Sequence, residues 1–335
     1  MRRNTPAQTR PGAASTRLIT GSAGPDPRGR RAALSDLTQA PAQRVVHRVL
    51  AWYRRHGRRD LPWRRSDVTP WQVLVSEVML QQTPVSRVLP VYAVWTARWP
   101  TPQSLAAATP ADAVRAWGRL GYPRRALWLH QAARAIVDRF GGIVPDEPGV
   151  LATLPGIGRY TAAAVAAFAY RRRVAVLDTN VRRVLARFLT GVPHPTGTPR
   201  AAEHRSLDAL LPKNADRAAQ FSVALMELGA LICTSRSPGC ARCPLTTDCA
   251  WHRAGRPAGT RRPRAPYTGS DRQARGALLA ALREYPHPVS TADLARAWPD
   301  PTQRRRALAS LVSDGLVSCA PGGRYQLGPA TADAT

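Results

Sequence analysis

Between residues 41 and 255 the apolar positions recur every three or four residues, the spacing of a single buried helix face. Val45, Val46, Val49, Leu50 and Tyr53 mark a first helix, with Gly57 as its stop. Pro70 introduces a second over 71–82, and the pattern continues over 85–99 and over 124–140, the latter closed by Gly141 and Gly142. Residues 159–170 are rich in alanine and strongly helix-forming. Runs over 180–189 and 215–233 complete the set. No segment alternates with period two for long, so the expected class is all-α, its loops punctuated by Pro and Gly.

The flanks differ. Residues 1–40 are rich in Arg, Pro, Gly, Ser and Thr without an apolar period, which predicts a disordered basic tail. Residues 253–270 have the composition of a linker. Beyond them, 271–330 predicts a small separate domain. Helices are expected over 271–284, after Ser290 and Thr291, and over 301–314, followed by β-like runs at 316–318 and 324–327 around Pro321-Gly322-Gly323. Three helices and a hairpin resemble a winged helix. Arg304, Arg305 and Arg306 on its third helix suit extra contact with a duplex, and a packing or partner module is the alternative.

Composition narrows the function. The 335 residues leave room for two or three domains, and no stretch of about 18 apolar residues predicts a membrane span. The Met1 end has no apolar run of the secretory kind, so a cytosolic protein is expected. Lys and Arg number 49 against 21 Asp and Glu, a net charge of +28, which points to a polyanion: nucleic acid first, an anionic membrane second. Nearly all of the basic residues are arginine, Lys213 being the sole lysine.

Three local signals carry chemistry. Cys233, Cys240, Cys243 and Cys249 form a C-x6-C-x2-C-x5-C run within 17 residues. One CxxC with unevenly spaced flanking cysteines suits a [4Fe–4S] cube better than the paired CxxC of zinc ribbons, with zinc as the rival. Leu154-Pro155-Gly156-Ile157-Gly158 opens a helix with two glycines that let backbone N–H groups approach a phosphate. It resembles the hairpin of a helix-hairpin-helix motif. Asp178 follows 22 residues after Gly156 at a helix start, where an acid is most often an N-cap.

Together with Leu61-Pro62-Trp63-Arg64, the run from Ser76-Glu77-Val78 through Gln81-Gln82-Thr83, and Leu120-Gly121-Tyr122, these motifs occur in the order found in the A/G-specific adenine glycosylases. The chain resembles this family, MutY, of the endonuclease III superfamily, over about 45–250. The resemblance implies a core of two helical domains, one of residues 41–69 and 172–252 with a [4Fe–4S] loop held by the four cysteines, the other a six-helix domain of 70–171 with the helix-hairpin-helix. It implies a monomer that flips adenine, mispaired with 8-oxoguanine or guanine, out of double-stranded DNA and hydrolyses its glycosidic bond.

Site roles follow from the same resemblance. Releasing adenine requires a proton for the base and an anion near the sugar cation, which two carboxylates with different pKa values supply. Glu77, in an apolar helix, is expected to stay protonated, to donate to N7 and later to activate water. Asp178, at a helix N-terminus, is expected to stay ionised and to stabilise the cation or bond to it transiently. Asn180 and Tyr160 are candidates for orienting the two acids. Tyr160 also stands where bifunctional relatives carry a Schiff-base lysine, so a monofunctional enzyme is expected. Gln82 is the expected wedge, Tyr122 stacks beside the opposing base, and Thr83 with the Leu120 backbone contacts it. Leu61, Trp63 and Arg64 are expected in the adenine pocket, with core packing the alternative for Leu61 and Trp63. Gly156 and Gly158 are expected to hold duplex backbone.

The chain departs from the family at Pro123, where a second aromatic is common, and at Val223, where a Gln or Glu is common. A short, winged-helix-like end is expected where typical members carry a Nudix-like domain. Two other functions remain open on sequence: a thymine or uracil mismatch glycosylase of the same superfamily, and a non-catalytic iron–sulfur DNA-binding regulator.

Overall fold

The computed structural model describes residues 39–259 and 266–329. Almost all of the expected basic tail, and the middle of the expected linker, lie outside these residues. Among the described residues the regular elements are helices and one C-terminal hairpin.

Helix α1 (Gln39–His56) is followed by a 3-10 turn at Pro62–Arg64 and then by α2 (Pro70–Leu80). Thr69 and Gln72 form a capping box at the start of α2, and Pro70 stands at its first position. From Trp71 to Met79 every residue of α2 except Gln72 is buried, as expected for a helix apolar on all sides. Its neighbours are α3 (Val85–Arg98), α6 (Arg124–Phe140) and the alanine-rich α8 (Arg159–Tyr170), whose small side chains let the two axes approach closely. The short α4 (Pro102–Ala106), α5 (Pro110–Trp117) and α7 (Pro148–Leu151) complete this half. Trp95 stacks edge-on against Trp99 and Trp117 at its centre.

A second core joins α1 to α9 (Thr179–Leu185), α10 (Ala201–Leu210) and α11 (Ala215–Leu231), and Cys233, Cys243 and Cys249 pack against it. The chain then forms the one-turn α12 (Ala250–Arg253). The C-terminal unit contains α13 (Asp271–Glu284), α14 (Thr291–Ala295), α15 (Pro301–Ser313), β1 (Val317–Ala320) and β2 (Arg324–Leu327). The strands pair antiparallel, Val317 opposite Leu327, and Val289 bridges to Tyr325 on the other side of β2. Its apolar residues share one continuous core with the α2–α8 half.

The observed elements differ from the expected ones mainly at their ends. The helix expected over 71–82 stops at Leu80, because Gln82 takes a left-handed φ of 54°. The run expected over 180–189 is α9 followed by a π-helical turn at Ala186–Thr190. The first strand begins at Val317 rather than residue 316, and α11 ends before Cys233. Helices α4, α5, α7 and α10 have no counterpart in the periodicity, because each is ten residues or shorter and shows too few turns to reveal a face.

Candidate active site

Glu77 points from the middle of α2 toward α8. It is buried, and its Oε2 accepts a 2.8 Å hydrogen bond from the Tyr160 hydroxyl. Burial pushes the Glu77 carboxyl up to about 7; the Tyr160 bond and the charge of Arg64 oppose this, while the charge of Asp178 adds to it. Burial, with Glu77 and Asp178 nearby, holds Tyr160 well above the usual phenol range. Tyr160 therefore remains a neutral donor, and the three groups share one electrostatic site.

Asp178 is the N-cap of α9. Its Oδ1 accepts from the Val181 backbone at 2.6 Å and its Oδ2 from Asn180 Nδ2 at 2.8 Å. The helix N-terminus, expected to keep this carboxyl ionised, is opposed by burial. Burial raises its pKa, and the Val181, Asn180 and Arg183 interactions only partly offset that. Asn180 is held in turn: its Oδ1 accepts from Arg183 at 2.7 Å, and Arg183 also donates to Gly229 O and to Cys233 O, each at 2.7 Å. A hydrogen-bonded path thus joins Asp178 to the first cysteine of the C-x6-C-x2-C-x5-C run.

Leu61 and Trp63 are both buried in the first core, Trp63 edge-on to Tyr92. Arg64 is bound to Glu227 of α11 at 3.1 Å and donates to Arg58 O at 2.6 Å. Arg58 spans the same carboxylate, its Nη2 donating to Oε1, which Arg64 also bonds, at 2.7 Å and its Nε to Oε2 at 2.9 Å. Burial alone would raise Glu227, yet the two guanidiniums hold it below the usual carboxylate range. Arg64 therefore faces both Glu227 and, through space, Glu77.

Gln82 and Tyr122 meet directly, the tyrosine hydroxyl donating to Gln82 Oε1 at 2.9 Å. Both occupy left-handed backbone, φ 54° and 48°, which costs a non-glycine residue about 1–2 kcal/mol and persists only where the surroundings hold it. Tyr122 is 57% exposed, open to an incoming base. Thr83 is buried, and its hydroxyl lies 3.4 Å from Leu120 O. Arg125 holds these groups together. Buried in the first turn of α6, it donates to Val78 O, Met79 O, Gln81 O, Thr83 Oγ1 and Gly121 O at 2.6–3.1 Å. Sequence reasoning missed it, although a charged residue beside Ala126 and Leu127 on a helix was a visible signal.

Gly156 has φ +72°, and a Cβ there would stand 2.5 Å from Trp128 Cβ, so a glycine is required. Gly158 caps α8 with open space around it, which leaves the helix N-terminus accessible.

The four cysteines line one small pocket together with Pro238, Thr246 and Trp251. Among the described residues no three His, Cys, Asp or Glu stand close enough to hold a single metal ion. Burial pushes Cys243 up to about 11 and raises Cys249, so these two thiols stay protonated when bare, and a bound cation would displace their protons. Four thiols facing one pocket supply the sulfur donors that a metal group takes.

Residues 75–207 match the HhH-GPD superfamily base excision DNA repair protein model. An adenine DNA glycosylase of Mycobacterium tuberculosis is 53% identical over 282 residues, 83% of this chain and 92% of that protein. The chain belongs to the adenine DNA glycosylases. A namesake from Mycolicibacterium smegmatis is 54% identical over 83% of this chain and 94% of its own length. Among solved structures, a thermostable thymine-DNA glycosylase superposes with TM-score 0.60 at 26% identity, covering 65% of this chain and all of that one.

Within an adenine DNA glycosylase, the placement of Tyr160 against Glu77 gains weight, because Lys213 lies exposed between α10 and α11, outside the site. The arginine row of the C-terminal unit is partly engaged within the unit. Arg306 is bound to Asp271 at 2.6 and 2.7 Å and Arg304 to the carbonyls of Trp298 and Pro299, so two of the three already have partners inside the unit. Sequence reasoning also missed Arg183 and Gly229, visible only once α9 and α11 pack together, and Glu227, visible only once α11 meets Arg58 and Arg64.

Proposed function

We propose that this adenine DNA glycosylase is monofunctional and removes adenine mispaired with 8-oxoguanine or guanine in double-stranded DNA. The observation that carries the proposal is the buried Glu77–Tyr160 pair with Asp178 within electrostatic reach. Protonated Glu77 donates to N7 of a flipped adenine, the bond from N9 to C1′ breaks, and the electron pair leaves with the base. Asp178, aligned by Asn180 and Val181, balances the positive sugar. The Glu77 carboxylate then takes a proton from water as its oxygen adds to C1′, which restores the acid and leaves an abasic site. Tyr160 orients Glu77 and offers no amine for strand cleavage.

Gln82 serves as the wedge, with Tyr122, Thr83 and Leu120 at the opposing base, and Leu61, Trp63 and Arg64 form the wall of the adenine pocket. Gly156 and Gly158 receive a backbone phosphate. The net charge of +28 favours DNA throughout. Cys233, Cys240, Cys243 and Cys249 would hold a [4Fe–4S] cluster, which suits thiols that line one pocket without closing on a single ion. Ligation by the four cysteines would hold the loop between them, which carries Arg236 and Arg242, in one shape, and these two arginines would face the duplex. The protein works as a monomer in the cytoplasm or on the nucleoid; no described helix is long and apolar enough to cross a membrane.

The test is single-turnover base release from four duplexes: A opposite 8-oxoguanine, A opposite G, T opposite G and A opposite T. Wild type and Glu77→Gln are compared, with and without alkali. Adenine release from the first two, strand breaks only after alkali, and no release by Glu77→Gln are expected. Thymine release, strand breaks without alkali, or binding without any release would overturn the proposal. Iron content and visible absorption of the purified protein distinguish the cluster from zinc.

A further inference from the structure

The turn that bears Leu120 and Tyr122 joins α5 to α6, and one C-terminal unit grips both of these helices. On the α5 side, Arg283 of α13 donates Nε to Val114 O at 3.1 Å, and Arg115 returns bonds to Arg283 O at 3.4 Å and Tyr285 O at 3.3 Å. Beyond β2, a Cβ on Gly328 would stand 3.2 Å from the Ala111 nitrogen, so the two backbones are in close contact. On the α6 side, Asp314 at the end of α15 pairs with Arg124 at 3.3 Å and is itself held by Arg275. Gly315 lies against Leu127.

The turn between these two docking points is conformationally demanding. Gly118, Gly121 and Tyr122 all have left-handed φ, 54°, 85° and 48°. Such backbone keeps its shape only while its ends are held at a fixed spacing and orientation. Arg124 is the second residue after Tyr122, and its guanidinium also lies over the Trp128 ring, 5.1 Å from the centroid, the ring that packs under Gly156. The contact with Asp314 therefore falls where the opposing-base turn and the hairpin meet.

We propose that the C-terminal unit is a positioning element for the base opposite the excised adenine, acting by clamping α5 and α6, with the Asp314–Arg124 pair as its contact at the DNA edge. The inference rests on the reading of Tyr122 and Leu120 given under the proposed function. It assigns the unit an effect on opposing-base preference rather than on bond breaking, because Glu77, Tyr160 and Asp178 stand on or beside α2, α8 and α9. Direct phosphate binding by the arginine row of α15 is the less favoured role, since Arg304 and Arg306 are engaged within the unit.

The experiment uses the full chain with its metal group bound. Asp314→Arg, Asp314→Asn, Asp314→Glu and the swap of Asp314→Arg with Arg124→Asp are compared with wild type. Each is assayed for single-turnover release of adenine opposite 8-oxoguanine and opposite guanine, over a range of enzyme concentrations, and for thermal melting. Asp314→Arg is expected to reduce the ratio of the two rates about tenfold through a raised half-saturating concentration, with the plateau rate opposite the preferred base within about twofold of wild type. Asp314→Asn should show a smaller loss, Asp314→Glu should keep the ratio, and the swap should recover most of it. Where Asp314→Arg melts early, Asp314→Asn decides. An unchanged ratio in the folded variants, an equal loss of plateau rate opposite both bases, or a wild-type ratio of one overturns the clamp. A wild type that releases no adenine at all is a different result and overturns the functional reading itself.

Discussion

The Tyr160 hydroxyl donates to Glu77 Oε2 across 2.8 Å, so the buried acid and the residue standing where bifunctional relatives carry a lysine are in direct contact. A phenol at this position fixes the carboxyl without supplying an amine. Proton donation then depends on Glu77, whose carboxyl burial pushes up to about 7. Single-turnover adenine release should be flat below that pH and fall about tenfold per unit above it, as the donor ionises. A profile flat from pH 6 to 9, measured under saturating enzyme, would exclude Glu77 as the proton source.

The same shift affects stability. The unfolded chain releases the Glu77 proton near 4.5, whereas the folded chain holds it to about 7. Between those values the native state binds more protons, so rising pH destabilises the fold, by up to about 3 kcal/mol once both limits are passed. Glu77→Gln cannot titrate and escapes that penalty. Its melting temperature relative to wild type should therefore rise between pH 5 and pH 8, with no such trend if Glu77 ionises normally.

Arg125 caps the C-terminal carbonyls of α2 and at the same time holds Thr83 and Gly121. Arg125→Met keeps an unbranched apolar stem but leaves buried acceptors without donors, at a cost of about 2–4 kcal/mol. Chemical denaturation should show that loss, and anisotropy should show weaker binding to an A·G duplex. Arg125→Lys should recover less than half, because one ammonium cannot reach acceptors arranged for a guanidinium fork.

Gly229 lets α11 approach α9. A Cβ at this position would stand 2.7 Å from Asn180 Cβ and 2.9 Å from Asn180 O, so one helix must move. Gly229→Ala is expected to destabilise the protein by about 1–3 kcal/mol. It should also slow adenine release at least tenfold, because Asn180 aligns Asp178. Iron content should be unchanged. A variant of wild-type rate would show that the Asn180–Asp178 alignment tolerates this displacement.

Much of this was legible in the sequence because it is local. Helix periodicity marked α1, α2, α3, α6, α8, α11 and α13 to within a few residues, since a buried face repeats every turn however the helices are later arranged. Glu77 stood out as an acid within an apolar helix, Asp178 as an acid opening one, and the cysteine spacing as a metal signature. Short helices such as α5 and α10 were not legible, because two or three turns held by tertiary contacts leave no period to read.

Tertiary structure decided the rest. The pKa of Asp178 depends on burial by distant segments, which outweighs the helix N-terminus that the sequence shows. The end of α2 depends on Arg125, 45 residues beyond Leu80, collecting its last carbonyls. Arg304 and Arg306 look like a free basic row along the chain and have partners in the fold. The first cysteine is held by Arg183 of α9 and by Arg187 of the π-helical turn after it, some 50 residues earlier in the chain. Sequence by itself determined which groups this protein has and on which helices they ride, since propensity and periodicity act within a few residues. Which of those groups meet, and what burial does to their protons, was decided by packing between segments far apart in the chain.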